Sequence, residues 1–553
     1  MGYAEAQYTV DEAAKTNGIP PKNITTFRAA GGDGVVNLTF TPPSDTVIDD
    51  QTICSVGGIL IIRKEGSAPT SMKDGEVVAK LDVTNMNNYI SDPLVDDDVV
   101  NEHTYYYGFF TMSDHGVYNY NQNCVATATP SEVPPTFYKF AYHQDFTELD
   151  PDATITYLNW GDKITSSSTP MHTNGDTGTV TAGDFEQFYV LQQNKPYMVK
   201  TNFQADYPLD PTDYTKKLDG TASDVSNTSY SGLGAYAWIP RFYMKEVYAA
   251  DGNSRDVYFS NEQEDSDFQP VGFMDYSIGA MKGAWIPMYY PGSDGKSFAG
   301  RTGDGGANSK TCDQQKTLVD LNGANARFLG GSIMNAYRDL CYGLFKSTDI
   351  QEHGGYGNCN GASQSAITTN PVLSNGAVEG FLGTGTSSDS NSRKQANKAF
   401  HSNVLFTYDM YLRDPYTLFY TTGTRAGTSR VRSKYTYNIT GNSSDTNDVV
   451  FSTTGTRTNG YSSKLEVSTS GTGLKQSINL GNNGGSQSTG LCDYDYWGST
   501  ASKTYVAYRL GYCDYGLCCG PAFLALNYEA SSSYWSLGAA VLLIPPADYE
   551  PEG

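Results

Sequence analysis

Tyrosine and glycine set this sequence apart, with 42 Tyr and 57 Gly among 553 residues. Tyrosine is a large, stiff side chain that favours strands, and glycine supplies the turns between them. The same mixture is typical of binding surfaces, where tyrosine offers contact area at a low cost in side-chain entropy. We therefore expect a β-rich protein whose loops are suited to binding.

The length and charge of the chain limit its organisation and its partners. One hydrophobic core does not serve 553 residues, so we expect several compact units. The formal charge of -23 would repel the phosphates of a nucleic acid. No stretch reaches the roughly 18 apolar residues of a membrane helix, and the N-terminus lacks the features of a secretory signal. We expect a protein made and assembled in a cytoplasm, without nucleic acid or membrane insertion.

The first 130 residues predict an arm followed by a β-sandwich. Residues 1–20 are polar and lead into a doubled proline, which is typical of an extended arm. Residues 21–130 contain short strand patterns separated by turns, such as Val35–Phe40 and Thr104–Phe110. Their order and spacing resemble a fibronectin type III or immunoglobulin-like sandwich, and another small β-sandwich is the alternative.

The rest of the chain contains no second clear linker. Residues 131–190 begin with a proline-rich stretch and predict a linking β-rich segment. Residues 191–546 predict one large domain, in which 421–490 form an insertion rich in Ser, Thr, Gly and Asn that also carries β-hairpin patterns. One amphipathic helix is predicted at Ser332–Phe345, where apolar residues recur at spacings of three and four.

This large region contains five characteristic segments, namely Tyr197–Lys200, Tyr207–Pro211, Lys216–Gly220, Ser223–Val225 and Ala237–Lys245. These segments resemble tail-associated proteins from phages of gut Firmicutes. The resemblance covers roughly residues 137–546. It implies a mainly β chain with α+β character, in which a C-type-lectin-like domain, a fold shared with formylglycine-generating enzymes, follows the N-terminal sandwich.

The C-terminal part of the chain contains four further runs, Gly511–Gly516, Cys519–Phe523, Leu526–Tyr528 and Ser533–Ala539. These runs resemble a more specific class, the variable region of proteins diversified by retroelements, which include the phage major tropism determinant. Cys513 stands where that class commonly has Trp, so the register of this loop stays open.

In that class, adenine-containing codons at chosen positions are rewritten while the scaffold between them is kept. The resemblance therefore implies a variable region at about residues 490–540, whose rewritten positions form a receptor-binding face. These positions are Tyr494, Tyr496, Tyr512, Asp514, Tyr515, Cys518, Leu524, Tyr528, Ser532, Tyr534 and Ser536.

The composition of this segment favours a binding face even without the resemblance. Residues 492–536 contain eight Tyr, six Ser and two Trp, but one Lys, one Arg and one Glu. Tyr512 and Tyr515 lie beside glycines in a predicted loop. Tyr505 and Tyr508, in contrast, fit an ordinary strand.

Side-chain alternation predicts which of the last aromatic residues pack inside. If this stretch is extended, Trp535 and Leu537 face the core, whereas Tyr534 and Ser536 face the solvent. The apolar run Ala539–Ile544 follows and predicts a buried strand. We therefore expect Trp535 to be a packing anchor rather than a contact residue.

The resemblance implies an adhesin of the phage tail. Its partners would be a host-cell surface receptor, protein or glycan, and other tail proteins that contact the N-terminal region. It would be a homotrimer at the tail tip or fibre of the virion, assembled in the host cytoplasm. A bacterial surface-displayed variable binding protein is one alternative, and it predicts a lipoprotein or secretion signal.

A formylglycine-generating-type oxidase is the other alternative. Such enzymes bind copper through a cysteine pair, and Cys513, Cys518 and Cys519 could supply soft ligands. However, no histidine follows His401, and the six histidines lack metal-ligand spacing. The nine cysteines are odd in number and irregularly spaced, which does not indicate a disulfide framework. We expect no enzymatic activity, no metal and no cofactor.

Overall fold

The structure is a computed structural model, mainly β with few helices. It describes residues 21–48, 50–89, 93–119, 124–132, 135–161, 163–173, 180–299, 307–355, 400–406, 408, 410–421, 426–439, 448–452, 457–468, 476–479, 481, 483–500, 502–512 and 515–552. The predicted arm at 1–20 therefore lies outside the described residues. The chain divides into two compact units, Met1–Pro135 and Thr136–Gly553.

The predicted strands of the first unit are confirmed. Its strands are β1 Thr26–Gly32, β2 Val35–Thr41, β3 Thr46–Ile48, β4 Gln51–Cys54, β5 Val56–Glu65, β6 Glu76–Asp82, β7 Leu94–Asp96, β8 Tyr105–Ser113 and β9 Val125–Ala128. One antiparallel sheet has the order β1-β2-β7, a second has the order β6-β5-β8-β9, and β3 pairs with β4. A short 3-10 helix spans Met86–Tyr89.

The two sheets of the first unit share one core. Val36 and Leu38 of β2 pack in the same apolar cluster as Ile61 of β5 and Phe109 of β8. Successive side chains of a strand point to opposite faces, so each sheet turns one side toward this shared core. On the other side of the four-stranded sheet, Leu60, Ile62 and Phe110 form a smaller buried cluster. The first unit is therefore a β-sandwich.

The second unit contains the remaining strands. They are β10 Phe140–Asp145, β11 Ile155–Tyr157, β12 His172–Thr173, β13 Val180–Thr181, β14 Pro196–Val199, β15 Ala205–Asp210, β16 Asp213–Lys217, β17 Gly234–Pro240, β18 Tyr243–Tyr248, β19 Ser254–Ser260, β20 Met274–Asp275, β21 Gly279–Ala280, β22 Gly283–Pro287, β23 Ala326–Phe328, β24 Tyr411–Tyr420, β25 Thr428–Arg432, β26 Asp448–Ser452, β27 Gly460–Tyr461, β28 Leu465–Val467, β29 Ser477–Asn479, β30 Tyr494–Trp497, β31 Thr504–Leu510, β32 Gly520–Glu529, β33 Leu537–Gly538 and β34 Val541–Leu543.

The helices of the second unit are short, and none in the described ranges has both the length and the apolar character to span a membrane. The α-helices are Tyr189–Gln193, Cys312–Asp320, Ser332–Phe345, Ile350–Gly354 and Asn403–Phe406, and the 3-10 helices are Gly183–Phe185 and Gly516–Cys518.

Three larger sheets organise the second unit. A four-stranded sheet has the order β11-β10-β19-β18, and a seven-stranded sheet has the order β16-β15-β14-β17-β22-β34-β23. An eight-stranded sheet has the order β26-β25-β24-β31-β32-β30-β27, with β33 beside β24. The predicted buried strand near the C-terminus is confirmed as β34, which lies within the seven-stranded sheet.

Residues 131–190 do not form the separate linking segment that we expected. The strand β10 pairs with β19, which lies more than a hundred residues further along the chain. Phe140 and Tyr142 of β10 are fully buried in the main core. Because β10 supplies core side chains and a central strand of a sheet, the chain from Thr136 onwards belongs to the second unit.

The insertion at 421–490 carries β-hairpins, as predicted. β25 pairs with β26, and β28 pairs with β29, both antiparallel. The insertion is nevertheless part of the unit's framework, since β25 and β26 extend the eight-stranded sheet at one edge and β27 pairs with β30 at the other.

The helix Ser332–Phe345 is confirmed at its predicted position, but it is buried on every side rather than on one face. Its two charged residues, Arg338 and Asp339, are therefore also buried. The Asp339 carboxylate accepts hydrogen bonds from Arg255 at 2.6 Å and from Arg338 at 2.9 Å. Buried charges are tolerated when they are paired and hydrogen-bonded in this way.

This buried ion cluster joins three parts of the second unit. Arg255 belongs to the four-stranded sheet, where it also pairs with Glu246 at 2.8 Å. Arg338 donates to the Ser477 hydroxyl of the insertion at 2.6 Å. The cluster thus fastens the helix, the four-stranded sheet and the insertion to one another.

Replacing Asp339 tests this cluster. Asp339→Ala leaves two buried guanidinium groups without their shared carboxylate, so we expect a loss of about 3–5 kcal/mol in the free energy of unfolding. Asp320→Ala is the matched control, because Asp320 pairs with Lys316 on the surface and should cost less than about 1 kcal/mol. Denaturant unfolding measures both variants, and equal stability of the two would contradict the role of the cluster.

Candidate functional site: an aromatic face

One side of the eight-stranded sheet packs on the main core, and the other side carries aromatic residues. Along β32, Leu524 and Leu526 lie in the main core, whereas Phe523 and Ala525 lie in a separate cluster on the opposite side. The reason is that successive side chains of a strand point to opposite faces. β30 repeats the pattern, with Trp497 in the core and its two tyrosines on the other side.

The outer side chains form a continuous layer of rings, which we call the aromatic face. Tyr411 lies at its centre, with its ring centroid 4.8 Å from that of Tyr512, 5.5 Å from Phe523 and 5.6 Å from Tyr515. Ring contacts link all members of the layer. They are Tyr411, Tyr461, Tyr494, Tyr496, Tyr508, Tyr512, Tyr515, Phe523, Tyr528, Tyr534 and Trp535.

The aromatic face has a buried inner layer and an accessible outer layer. Tyr411, Tyr508 and Phe523 are buried, the other members are half-buried, and Tyr534 is 56 % exposed. Contacts between aromatic rings contribute about 0.5–1.5 kcal/mol each. The inner rings therefore hold the outer rings in place, which reduces the entropy that they would lose on binding a ligand.

Tyr512 and Tyr515 reach this face from a tight loop, where the sequence predicted them. Gly511 has a positive φ of 86°, and a Cβ at this position would lie 2.4 Å from the Cys519 Sγ, so only glycine fits. The buried Cys519 thiol donates to the Tyr512 carbonyl at 3.4 Å. The 3-10 helix Gly516–Cys518 then leads into β32.

Most of the predicted receptor-binding residues meet on the aromatic face. Six of them are members of it, namely Tyr494, Tyr496, Tyr512, Tyr515, Tyr528 and Tyr534. Cys518 is half-buried at its border, with its Sγ 3.1 Å from the Tyr461 hydroxyl oxygen. Asp514 lies outside the described residues.

Three predicted residues have other surroundings. Leu524 is buried in the main core because it points to the inner side of β32. Ser536 is 8 % exposed, and its carbonyl accepts a hydrogen bond from the Tyr411 amide at 3.0 Å. Ser532 is half-buried, and its carbonyl accepts from the Arg413 guanidinium at 2.7 Å. Leu524 and Ser536 are thus not available as surface contacts.

The expected alternation from Tyr534 to Leu537 is wrong. The Leu537 amide donates to the Tyr534 carbonyl at 3.0 Å, which closes a turn, so the stretch is not extended. Leu537 is buried and Tyr534 is exposed, as predicted. Trp535, however, is half-buried and packs beside Met410 and Tyr512. It belongs to the aromatic face rather than to the core.

The sequence did not identify several members of the aromatic face. Tyr411 begins a strand that is buried along its whole length, and Tyr461 lies in the insertion. Tyr508 fits an ordinary strand, and it is indeed in β31, but its ring packs beneath the outer rings. No local pattern marks these residues, because pairing between strands far apart in the sequence brings them together.

The members of the aromatic face carry no formal charge at neutral pH. Burial raises the pKa of Tyr411, Tyr496 and Tyr528 above the ordinary value of tyrosine, so their hydroxyls stay protonated. The outer rings thus present apolar faces together with neutral hydroxyls that can both donate and accept hydrogen bonds.

Among the described residues, three charged side chains near the face, Arg413, Lys503 and Glu529, are engaged by other groups of the protein. Beneath it, the Arg413 guanidinium lies 5.1 Å from the Tyr508 ring centroid and also donates to the Ala530 carbonyl. At the edge, Lys503 and Glu529 form an ion pair at 2.9 Å. Recognition by this face would therefore depend on ring contacts and hydroxyls more than on opposite charge.

Two buried carboxylates support the strand that carries Tyr494 and Tyr496. Asp495 accepts hydrogen bonds from the Ser462 hydroxyl and, at 2.7 Å, from the Asn479 side chain, and burial raises the pKa of Asp495 to about 7. Asp493 accepts a hydrogen bond from a backbone amide of β32 at 2.7 Å, and burial raises its pKa as well.

Within the described ranges, no three His, Cys, Asp or Glu side chains converge where a metal ion would sit.

A scan against protein-family models and a search of the curated proteins found no match for the sequence. The residues and their geometry are therefore the basis for the function proposed below.

The protonation of Asp495 makes the stability depend on pH. Its pKa rises from about 3.8 in the unfolded chain to about 7 in the folded protein, so the stabilisation is complete below about pH 4 and is lost between pH 4 and 7. Asp495→Asn lacks this titrating group. As the pH rises from 4 to 7, we therefore expect the free energy of unfolding of the wild type to fall relative to that of Asp495→Asn, by up to about 1.4 kcal/mol per pH unit. Denaturant unfolding of both proteins at several pH values measures this difference, and parallel pH profiles would contradict it.

The inner and outer rings should differ in their effect on stability. Phe523→Ala should cost about 3–5 kcal/mol, because it opens a cavity beneath the aromatic face. Tyr534→Ala should change the free energy of unfolding by less than about 0.5 kcal/mol, because this ring is mostly exposed. Thermal unfolding of both variants is the measurement. A large loss for Tyr534→Ala would show that the outer rings are structural.

Proposed function

We propose that this chain is a phage tail adhesin that binds a host-cell surface receptor through the aromatic face. One observation carries the proposal: six tyrosines of the expected variable segment meet in one accessible layer of rings. Tyrosine and tryptophan dominate the energetically important positions of protein interfaces, because they combine a large apolar area with a hydrogen-bonding tip. A surface of this kind is suited to recognition, and its neutral hydroxyls suit a protein or a glycan.

The separation of inner and outer side chains supports a diversified binding site. In β32 and β30 the inward side chains pack in the main core, and the outward ones form the aromatic face. Changes at outward positions leave the inward packing in place, so a changed surface does not require a changed fold. This is the property that a retroelement-diversified protein needs, and it supports the resemblance of the C-terminal segment to that class.

The strand order of the first unit supports a fibronectin type III or immunoglobulin-like sandwich. Its three-stranded and four-stranded antiparallel sheets pack around one core, as in that architecture. We assign this unit the role of a spacer that faces the virion and contacts other tail proteins. The mainly β second unit with few helices is compatible with a C-type-lectin-like domain, which we propose from the resemblance of its residues.

The proposed adhesin acts as a homotrimer at the tail tip or fibre. Several copies on one tail raise the effective concentration of each further contact, so that modest single-site affinities give firm attachment.

Substituting outer rings tests the proposal. The full-length protein, labelled with a fluorophore, is incubated with a panel of gut bacterial isolates, and bound label is counted by flow cytometry. In a Tyr512→Ser, Tyr515→Ser, Tyr534→Ser variant we expect adsorption to fall to background, since each aromatic anchor of an interface can contribute about 2 kcal/mol or more.

A matched control replaces exposed residues outside the aromatic face with serine. Tyr138, Tyr276 and Leu321 are suitable, because each is an exposed large side chain. This control should bind like the wild type, and circular dichroism should show both triple variants folded. If the aromatic variant adsorbs as well as the control, the receptor site lies elsewhere.

A further inference from the structure

Tyr461 lies on the aromatic face although it belongs to the insertion and not to the expected variable segment. It is directly opposite Tyr494 in the antiparallel pair of β27 and β30. The two rings meet edge to face at 4.9 Å and 87°. Tyr461 is half-buried, so part of its side chain remains accessible beside the outer rings.

The backbone on both sides of Tyr461 is fastened to the sheet. The Asn459 side chain accepts a hydrogen bond from the Trp497 amide at 2.7 Å. On the other side, the Ser462 hydroxyl donates to the buried Asp495 carboxylate and accepts from a backbone amide at 2.9 Å. The Tyr461 ring therefore projects from a fixed backbone, as a preorganised contact residue requires.

The Tyr461 hydroxyl contacts Cys518, one of the positions that the resemblance implies are rewritten. Its oxygen lies 3.1 Å from the Sγ of Cys518, within hydrogen-bonding distance for sulfur. The hydroxyl is neutral, since burial, followed by the contact with Cys518, raises the pKa of Tyr461 above the ordinary value. The residue at 518 thus determines what the hydroxyl contacts within the protein.

We infer that Tyr461 is a fixed receptor contact and that the residue at position 518 sets how its hydroxyl is presented. The ring extends the aromatic face beyond the segment 490–540 and supplies a surface that diversification leaves unchanged. If the side chain at 518 forms a hydrogen bond with the Tyr461 hydroxyl, the hydroxyl points away from the receptor. If the side chain at 518 forms no such bond, the hydroxyl is available to bond to the receptor. This inference rests on the proposed function, because it assigns a further residue to the same site.

The test compares variants at both positions in the cell-adsorption assay, using an isolate that the wild type binds. Tyr461→Ala and Tyr461→Leu should each lower the apparent affinity at least about tenfold, because both remove the ring. Leu keeps apolar packing against Tyr494, so it reports on binding even if Ala reduces stability. Tyr276→Ala, which removes a 65 % exposed tyrosine elsewhere, is the control and should bind like the wild type.

A double-mutant cycle tests the role of position 518. Cys518→Ala removes the group that bonds to the hydroxyl, so it should raise the affinity when Tyr461 is present by a larger factor than in Tyr461→Phe, which lacks the hydroxyl. Equal effects of Cys518→Ala in both backgrounds would overturn the coupling, and normal binding by a folded Tyr461→Leu protein would overturn the contact. Either result leaves the proposed function standing if the triple tyrosine variant still loses adsorption. If that triple variant binds normally, both proposals fail.

Discussion

The candidate site depends on one constraint, namely that the two faces of the eight-stranded sheet have different surroundings. A strand must direct alternate side chains to opposite faces, so a sheet that buries one face against a core presents the other as a surface. Here the inner face of β30 and β32 contributes Trp497, Leu524 and Leu526 to the main core, and the outer face carries the rings. The packing of the core and the accessible surface thus depend on different residues of the same strands.

The buried ion cluster lies on the helix Ser332–Phe345, which contacts β32 of this sheet. Asp339 and its two arginine partners connect the fully buried helix to the four-stranded sheet and, through Ser477, to the insertion. An arrangement that separated these charges would leave a buried charge without its partner, which is strongly destabilising. The insertion thus contributes to the framework as well as to the aromatic face, which Tyr461 extends.

The chemistry of the aromatic face differs from the acidic character of the whole chain. The rings are neutral, and the adjacent Arg413 and Lys503 are engaged by carbonyls and by Glu529. Contacts of this kind depend on shape and on hydroxyl geometry and are only weakly affected by salt.

Local sequence patterns predicted part of the secondary structure, whereas the helix Cys312–Asp320 and most strands of the second unit were not predicted. The strands of the sandwich, the helix Ser332–Phe345, the hairpins of the insertion and the buried strand near the C-terminus follow from alternation or from helical spacing. The loop that carries Tyr512 and Tyr515 follows from its glycines. These features depend on neighbouring residues, so a single sequence is sufficient to predict them.

Only the tertiary structure decided which residues share the site. Leu524 is buried because its side of β32 packs on the core. Ser536 is buried and Trp535 lies on the aromatic face because the chain turns after Tyr534. Both arrangements result from tertiary packing. Tyr411 and Tyr461 reach the face through pairing with strands far along the chain. The physical reason is that strand pairing is non-local: the sequence determines how each strand alternates, but the position of the core decides which side is the surface.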